Sequence, residues 1–256
     1  MLNYIELETC NICNRSCPWC FFGNKDEFRN RKQEYLDTYY IKKLLEELRE
    51  HSYSGIISLF SVNEPLLDVR IRDGTLIRLC RNILNEKARI NIVTNGDFLT
   101  DEVLCTMINA GLDLLNISCY DDEMLIKART FYKTYNKQVK FTIYDYRRPE
   151  SFNNRAGNVP VGGEYNQTHS ICMSPLFTSV IGWDGEIRLC CNDVLGEVKF
   201  GNIKNQNLYD ILNSRKMKEY RKIITKDRNQ VFPCNKCNFI GYRLPMDNAI
   251  DGVIKS

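Results

Sequence analysis

The sequence lacks the features by which nucleic-acid-binding, secreted and membrane-spanning proteins are usually recognised. Its 256 residues carry a net charge of only +3, and no long run of like charge occurs. Neither nucleic acid nor a membrane surface is therefore an expected partner. The chain does not open with a basic segment followed by an apolar stretch, which argues against a secretory signal. Its apolar runs are no longer than strands and fall far short of a membrane span. We expect a cytoplasmic protein.

Cysteine, by contrast, is abundant, with twelve residues in the chain. The cytoplasm keeps thiols reduced, so a disulfide framework is not expected; metal ligation, catalysis and buried packing remain. One group comprises Cys10, Cys13, Cys17 and Cys20, and another comprises Cys172, Cys190, Cys191, Cys234 and Cys237. Two dense groups far apart in the chain predict two metal sites. Cys80, Cys105 and Cys119 lie singly in apolar segments and are predicted to be buried packing residues.

Up to about residue 145, short runs rich in β-branched residues alternate with helical segments. Strands are predicted at Ile5–Glu8, Ile56–Phe60, Arg89–Thr94, Leu114–Ser118 and Val139–Tyr144. Helices are predicted at Thr38–His51, Leu76–Leu84, Asp101–Ala110 and Asp122–Tyr135. This alternation indicates a mostly parallel sheet, closed or half closed, with its active site at the carboxyl ends of the strands.

The pattern changes after residue 147. Residues 147–170 are rich in Gly, Asn, Pro and Ser and are predicted to form a loop. Strands at Thr178–Ile181 and Glu186–Leu189 flank a four-residue hairpin turn, and a helix is predicted at Leu208–Ile224 before a cysteine-bearing loop. We predict two domains, one over residues 1–150 and one over residues 151–256.

Three cysteines with spacings of four and three residues, Cys13, Cys17 and Cys20, follow the first predicted strand. Three thiolates can ligate three irons of a [4Fe–4S] cluster and leave the fourth iron open for a small molecule. A zinc site with Cys10 as the fourth ligand is the alternative, but zinc knuckles usually contain paired CxxC units. Cys10 is more simply explained as a packing residue at the end of a strand.

This spacing, with Trp19 before the last cysteine, resembles the radical S-adenosylmethionine (SAM) superfamily. The resemblance implies an α/β fold, a partial (β/α)6 TIM-like barrel, in which SAM binds the open iron. It also implies reductive cleavage of SAM to a 5′-deoxyadenosyl radical, with the electron supplied by an external donor such as flavodoxin or ferredoxin. By the same resemblance, Trp19 packs near the adenine of SAM.

Further motifs support this resemblance because they follow successive strands in order. Asn63 and Glu64 stand in a turn where the family often has Gly-Gly-Glu-Pro, a turn that meets the amino group of SAM. Val62 and Asn63 replace the two glycines, so this turn has to accommodate side chains. Thr94 and Asn95 follow the third strand and Ser118 ends the fourth, and the resemblance implies that these residues also contact SAM.

In the second cysteine group, Cys172 and Cys190 flank the predicted hairpin, which brings them together at its base. The helix then returns the chain to present Cys234 and Cys237. Four thiolates suit zinc and a fully ligated [4Fe–4S] cluster equally, and the first motif favours the cluster. Cys191, beside Cys190, is an alternative ligand. The arrangement resembles the Twitch β-hairpin and helix extension, a shortened SPASM domain, which implies one auxiliary cluster.

Longer segments resemble the 2-deoxy-scyllo-inosamine dehydrogenases of the Twitch subfamily. The shared segments are Asn63–Leu67, Thr94–Thr100, Asn154–Gly157 and Gly201–Ile203. The resemblance implies that a small alcohol such as a sugar, cyclitol or amino-acid derivative is oxidised to a ketone, with Arg155 as the candidate substrate contact. Val62, Val93 and Asn192 depart from that pattern, so a different substrate is expected. A peptide-modifying radical SAM maturase is the alternative, and a non-catalytic metal protein is a third reading.

Overall fold

The strands of the protein build one sheet in its structure, a computed structural model that describes residues 2–147, 153–160, 171–239 and 252–255. The strands are β1 (Tyr4–Leu7), β2 (Ile56–Ser58), β3 (Arg89–Thr94), β4 (Leu114–Cys119), β5 (Lys140–Asp145), β6 (Thr178–Ile181), β7 (Ile187–Arg188) and β8 (Gly252–Lys255). Their order is β7-β6-β1-β2-β3-β4-β5-β8, and every described pairing is parallel except that of β6 with β7. The predicted mostly parallel sheet is confirmed.

Helices connect the strands and cover the outer face of the sheet. They are α1 (Phe21–Asn24), α2 (Asp26–Arg29), α3 (Thr38–Glu50), α4 (Val69–Arg72), α5 (Thr75–Leu84), α6 (Asp101–Asn109), α7 (Asp122–Tyr135), α8 (Ser174–Phe177), α9 (Leu208–Asn213) and α10 (Arg215–Asp227). Five of them begin at side-chain caps, in which an oxygen accepts a hydrogen bond from a backbone N–H group: Asp37, Asp68, Thr100, Asp121 and Ser214. Within the described parts of the chain, no helix is long and apolar enough to cross a membrane.

The two faces of the sheet differ in polarity because successive side chains of a strand point to opposite sides. Ile90 and Ile92 of β3 join the apolar core beneath the helices. Asn91, between them, lies on the opposite face, where its Nδ2 donates to Ser58 Oγ at 3.0 Å and its Oδ1 accepts from Asn116 at 3.2 Å. The inner face of the half barrel therefore carries a buried polar ladder across β2, β3 and β4.

The single helix predicted over Leu208–Ile224 is wrong, because the structure has two helices there. Ser214 has an extended backbone, with φ −57° and ψ 153°, which ends α9. Its hydroxyl then accepts a hydrogen bond from Met217 N and caps α10. A serine in this role satisfies a backbone donor that a continuous helix would have bonded internally.

The loop predicted over residues 147–170 lies largely outside the described residues. Residues 153–160 are described and form a turn with left-handed backbone at Arg155 (φ 46°), Ala156 (φ 55°) and Gly157 (φ 84°). Backbone of this kind is uncommon for residues other than glycine. It is held by contacts to the C-terminal cysteine loop, since Asn154 Nδ2 donates to Lys236 O at 2.8 Å.

A buried ion pair joins the end of β1 to the hairpin of β6 and β7. Arg188 Nη2 lies 3.1 Å from Glu8 Oε2, and the two side chains are 6% and 1% exposed. The same carboxylate oxygen accepts from Trp183 N at 3.4 Å. Because both charges are withdrawn from water, removing one of them leaves the other unpaired in a medium of low polarity.

Arg188→Gln is therefore expected to lower the free energy of unfolding by about 3–5 kcal/mol. Anaerobic chemical denaturation of the cluster-loaded protein, followed by circular dichroism, measures the change. Arg215→Gln is the matched control, because it removes an exposed pair with Glu219 and should leave stability almost unchanged. A loss for Arg188→Gln no larger than that of the control would contradict a stabilising role.

Candidate active site

The three cysteines of the first motif lie in the loop between β1 and α1, at the carboxyl edge of the sheet. Cys13, Cys17 and Cys20 all line a cavity of about 1270 Å³ within the half barrel. Burial raises the pKa of Cys13 to about 12 and that of Cys17 to about 11, and the neighbouring thiols add to the effect. A bound cationic centre would stabilise the thiolates of Cys13 and Cys17, since metal coordination deprotonates thiols.

Asp97, just after β3, anchors the cysteine loop. Its carboxylate accepts hydrogen bonds from Asn14 Nδ2 at 2.6 Å and from Arg15 Nε at 2.7 Å. Burial acts to raise the pKa of Asp97, but the bonds from Arg15 and Asn14 outweigh it and leave the pKa below its ordinary value. Arg15 also lies over the ring of Tyr120, at 5.2 Å from its centroid. The loop is thus fixed by the chain that follows β3 and β4.

Glu64 ties the turn after β2 to the turn after β3. Its side chain accepts from Leu66 N at 3.0 Å, from Thr94 Oγ1 at 2.7 Å and from Asn95 N at 2.8 Å. Burial raises the pKa of this carboxyl to about 7, against the effect of its three donors. Asn95 Nδ2 in turn donates to Asn14 Oδ1 at 2.9 Å, which links the network to the cysteine loop. Glu64, Thr94 and Asn95 therefore brace one wall of the cavity that they line.

The turn before Glu64 accommodates side chains in place of two glycines without unusual backbone. Neither Val62 nor Asn63 has a positive φ. Asn63 Oδ1 accepts from Ser61 N at 3.3 Å, and its Nδ2 donates to Cys10 Sγ at 3.3 Å. The side chain of Asn63 thus holds the turn. Cys10 is fully buried behind this turn and does not line the cavity.

Gly23, in α1, allows the helix to approach the cysteine loop closely. A Cβ at this position would lie 2.0 Å from Cys17 O and 2.6 Å from Cys17 C, both backbone atoms. The approach is held by Asn24, whose Nδ2 donates to Pro18 O at 2.6 Å and to Cys20 O at 2.7 Å. The shape of the loop that carries Cys17 and Cys20 therefore depends on the absence of a side chain at residue 23.

Aromatic side chains cover the side of the cavity nearest the cysteine loop. The Trp19 ring lies 5.7 Å from that of Tyr120, which stacks at 5.8 Å on Tyr146, and Tyr146 stacks on Tyr144 at 5.7 Å. All four line the cavity, as does Ser118 of β4. The tyrosines were not predicted from the sequence. Their positions at and just after the ends of β4 and β5 are the signal that could have identified them.

Arg155 reaches the same cavity from the turn over residues 153–160. Its Nη1 lies 3.5 Å from Cys191 O and 3.4 Å from Asn192 Oδ1, and both of these acceptors are neutral. Left-handed backbone at a residue other than glycine is found preferentially at functional sites. The guanidinium thus carries a positive charge to the cavity wall formed by the second cysteine group.

The second cysteine group places four thiols near one another, and none of the four lines the cavity: Cys172, Cys190, Cys234 and Cys237. Burial raises the pKa values of Cys172, Cys190 and Cys234, and the thiol of Cys237 acts on each of them in the same direction. The four predicted ligands are therefore neighbours. Cys191 differs from the four because it lines the main cavity. The thiol of Cys191 also raises the pKa of Cys190, so Cys191 remains an alternative ligand.

The predicted ligands of both groups are all cysteines. Among the residues that the structure describes, no three His, Cys, Asp or Glu side chains stand close enough to hold one metal ion. Ligands to one zinc ion all lie about 2.3 Å from the metal when they are thiolates. In a cubane each thiolate binds a different iron, so the ligands stand further apart. The donor set, cysteine sulfur at both places, fits iron–sulfur clusters.

Two family models match the chain. The model of the Radical SAM superfamily matches residues 7–142, and that of the SPASM iron–sulfur cluster-binding domain matches residues 172–238. The two segments hold the first and second cysteine groups, respectively. They confirm the family resemblance drawn from the spacing of the cysteines.

Similar proteins are found by sequence and by structure. The S-adenosyl-L-methionine-dependent 2-deoxy-scyllo-inosamine dehydrogenase of Niallia circulans is 26% identical over 242 residues, which cover 93% of each chain. The crystal structure of BtrN with AdoMet and 2-DOIA superposes with a TM-score of 0.81 at 24% identity and covers 99% of both chains. That of anSMEcpe with bound AdoMet gives 0.64 at 15% identity, over 92% of this chain and 89% of that one. The predicted partial barrel with a C-terminal extension is confirmed.

Proposed function

Because this chain belongs to the radical SAM superfamily, we propose that it oxidises an alcohol carbon of a small polar molecule to a ketone. It is a radical SAM oxidoreductase whose cofactors are SAM and two iron–sulfur clusters. The relative named above acts on 2-deoxy-scyllo-inosamine, a cyclitol amine, and supports a substrate of that chemical class. We further propose that an external one-electron donor, such as flavodoxin or ferredoxin, supplies the electron for the reductive cleavage of SAM.

Residues already described are proposed to hold the cofactors. Cys13, Cys17 and Cys20 would ligate the first cluster. The SAM-binding residues would be Trp19, Asn63, Glu64, Thr94, Asn95 and Ser118, and the auxiliary ligands would be Cys172, Cys190, Cys234 and Cys237. When bound, the first cluster and SAM would supply the radical chemistry that removes a hydrogen atom from the substrate, and the auxiliary cluster would supply an acceptor for the remaining electron.

One observation carries the proposal: side chains from both cysteine groups meet at a single cavity. Cys13 and Cys17 line it at one side, and Cys191 and Arg155 line it at another. A substrate in this cavity therefore lies between the radical-forming site and the auxiliary site. Oxidation of an alcohol removes a hydrogen atom, a proton and an electron, so it needs an electron acceptor, whereas a redox-neutral rearrangement does not.

The cavity wall indicates how a polar substrate would be held. Val62 and Val93 contribute apolar surface, while Asn116 and Glu6 present buried polar groups from the inner face of the sheet. Arg155 would donate charge-assisted hydrogen bonds to a substrate hydroxyl and orient the carbon that is oxidised. Asn192, which receives one contact from Arg155, replaces the acidic residue of the dehydrogenase pattern.

The test is an anaerobic assay of the reconstituted, reduced protein with SAM and a panel of cyclitols, amino sugars and amino-acid derivatives. We expect one class to yield a ketone together with one equivalent of 5′-deoxyadenosine. Substrate deuterated at the oxidised carbon should transfer its label to 5′-deoxyadenosine. A cross-linked or oxidised product from a precursor peptide, with no turnover of the small molecules, would contradict the proposal.

Arg155→Gln is expected to lower kcat/KM for ketone formation by about tenfold to hundredfold. Hydrogen bonds to charged groups contribute about 1.5–3 kcal/mol, and each 1.36 kcal/mol changes a rate tenfold. Cleavage of SAM in the absence of substrate should persist. Arg147→Gln is the control, because Arg147 pairs with Asp122 and Asp145 at the surface and does not line the cavity. Equal rates for the two variants would exclude a substrate contact by Arg155.

A further inference from the structure

Arg228 is a buried cation that the proposed reaction does not use. It lies within residues 172–238, the segment matched by the SPASM model. It begins a single 3-10 turn, Arg228–Gln230, directly after α10, and its side chain is 1% exposed. Its Nη1 donates to Phe239 O. Its Nε and Nη2 are buried and have no hydrogen-bond partner among the residues that the structure describes. Of the five N–H groups of this guanidinium, those on Nε and Nη2 therefore have no acceptor among the described residues.

Such an arrangement is costly unless something negative fills the neighbouring space. A buried donor without an acceptor costs about 1–3 kcal/mol, and more when it is charged. Within the described ranges, Arg228 forms no ion pair with a carboxylate, although Arg188, which is also buried, pairs with Glu8. The orphaned donors therefore indicate that a negatively charged group occupies the site in the loaded protein.

The groups next to Arg228 are cysteines of the second group. Cys172 N donates to Ile224 O of α10 at 3.1 Å, one helical turn before Arg228. Val231 N donates to Arg228 O at 3.3 Å, and Val231 O accepts from Asn235 N at 2.9 Å, so the turn that begins with Arg228 packs on the loop that carries Cys234 and Cys237. The acid close to Cys234 is Asp193, whose carboxylate accepts from Leu189 N at 3.3 Å and Glu197 N at 3.0 Å. Asp193 is thus held by backbone groups, and Arg228 supplies a positive charge close to the thiols.

We propose that Arg228 is a positioning residue that holds a positive charge beside the auxiliary cluster and makes that cluster easier to reduce. The inference rests on the proposed ligands Cys172, Cys190, Cys234 and Cys237. A [4Fe–4S] cluster with four thiolates is negatively charged, and reduction adds one further negative charge. A cation held close by in a site of low polarity stabilises the more negative state more strongly. Arg228 therefore favours transfer of an electron to this cluster, as the oxidation of an alcohol requires.

The experiment isolates the auxiliary cluster in the full-length chain. Cys13, Cys17 and Cys20 are all replaced by alanine, and about four irons per chain are expected to remain after reconstitution. The reduction potential of that cluster is then measured by anaerobic titration followed by electron paramagnetic resonance. The assay contains no SAM and no substrate, so its outcome does not depend on whether the protein oxidises an alcohol.

In this background, Arg228→Gln should lower the equilibrium constant for reduction at least about tenfold, which is a fall of about 59 mV for a one-electron couple. Arg228→Lys keeps the charge and should lose less than Arg228→Gln. The control is Arg221→Gln on α10, since Arg221 donates to Pro175 O and Leu212 O and should leave the potential unchanged. An unchanged potential in Arg228→Gln with its irons retained would overturn the proposal.

Failure of Arg228→Gln to assemble the cluster is also informative. Arg228→Lys then decides, because it restores the charge without the shape of the guanidinium. A retained cluster with a potential near that of the parent supports the role of the charge. Loss of the cluster in Arg228→Lys as well would show that Arg228 acts through its fit to Phe239 and the surrounding backbone, and would overturn the proposal.

Discussion

Gly23→Ala is expected to abolish assembly of the first cluster while the auxiliary cluster still forms. The added methyl would stand 2.0 Å from Cys17 O and 2.9 Å from Ser16 O. Since these are backbone atoms, no side-chain rotation relieves the clash, and the loop that presents Cys17 has to move. Iron analysis after anaerobic reconstitution should fall from about eight to about four per chain. Release of 5′-deoxyadenosine should fall to background.

Gly196→Ala is the matched control for this variant. A Cβ at residue 196 has its nearest neighbour at 3.8 Å, on the Arg188 side chain. Its φ of 62° costs about 1 kcal/mol for a residue other than glycine, but no cluster ligand is displaced. Both clusters should therefore form in the control. A full complement of irons in Gly23→Ala, with normal SAM cleavage, would show that the loop can shift and still bind the first cluster. That result would contradict the prediction.

Cys17→Ala is expected to abolish reductive cleavage of SAM, whereas Cys10→Ala should leave it intact. Cys17 lines the cavity with Cys13 and Cys20, but Cys10 is fully buried against Asn63 behind the turn. A cluster that lacks one of three ligands loses its attachment, whereas Cys10→Ala removes only a buried thiol and a weak acceptor. Anaerobic incubation with dithionite and SAM, with chromatographic detection of 5′-deoxyadenosine, measures the difference.

The same pair of variants separates a cluster from a zinc site. If Cys10 were the fourth ligand of zinc, both variants would lose their metal to a similar extent. Metal analysis of the parent protein that found zinc and no iron would contradict the iron–sulfur assignment itself. Equal release of 5′-deoxyadenosine by Cys17→Ala and the parent would contradict the proposed ligand set.

Elements whose limits are set by local signals could be predicted from the sequence. The bounds predicted for β3, α7 and β6 agree with those of the structure. In α7, for instance, Asp121 caps the helix directly before the apolar periodicity begins. The division into α9 and α10 was missed because the apolar periodicity continues through Ser214, whose capping role depends on the direction of the chain there.

Much of the candidate site depends on contacts between distant parts of the chain, which leave no local signal. Asp97 holds Arg15 across 82 residues, and Asn154 contacts Lys236 across 82 residues. The cysteine spacing predicted that Cys13, Cys17 and Cys20 act together, and the structure places them at one cavity. The cation Arg228 lies in an ordinary polar stretch, and only its burial distinguishes it from its neighbours.

The strand order has a consequence for where this chain can be divided. β1 lies inside the sheet, between β2 and β6, and β6 arrives from the unit that carries the second cysteine group. At the far side, β5 is covered by β8 from the C-terminal residues. A fragment cut near residue 150 would expose the unpaired edges of both β1 and β5, and exposed edges invite pairing with other chains. Strand β6 of the hairpin and the last strand, β8, thus pair with β1 and β5, which would otherwise be the edges of the sheet. We therefore expect the isolated N-terminal fragment to aggregate.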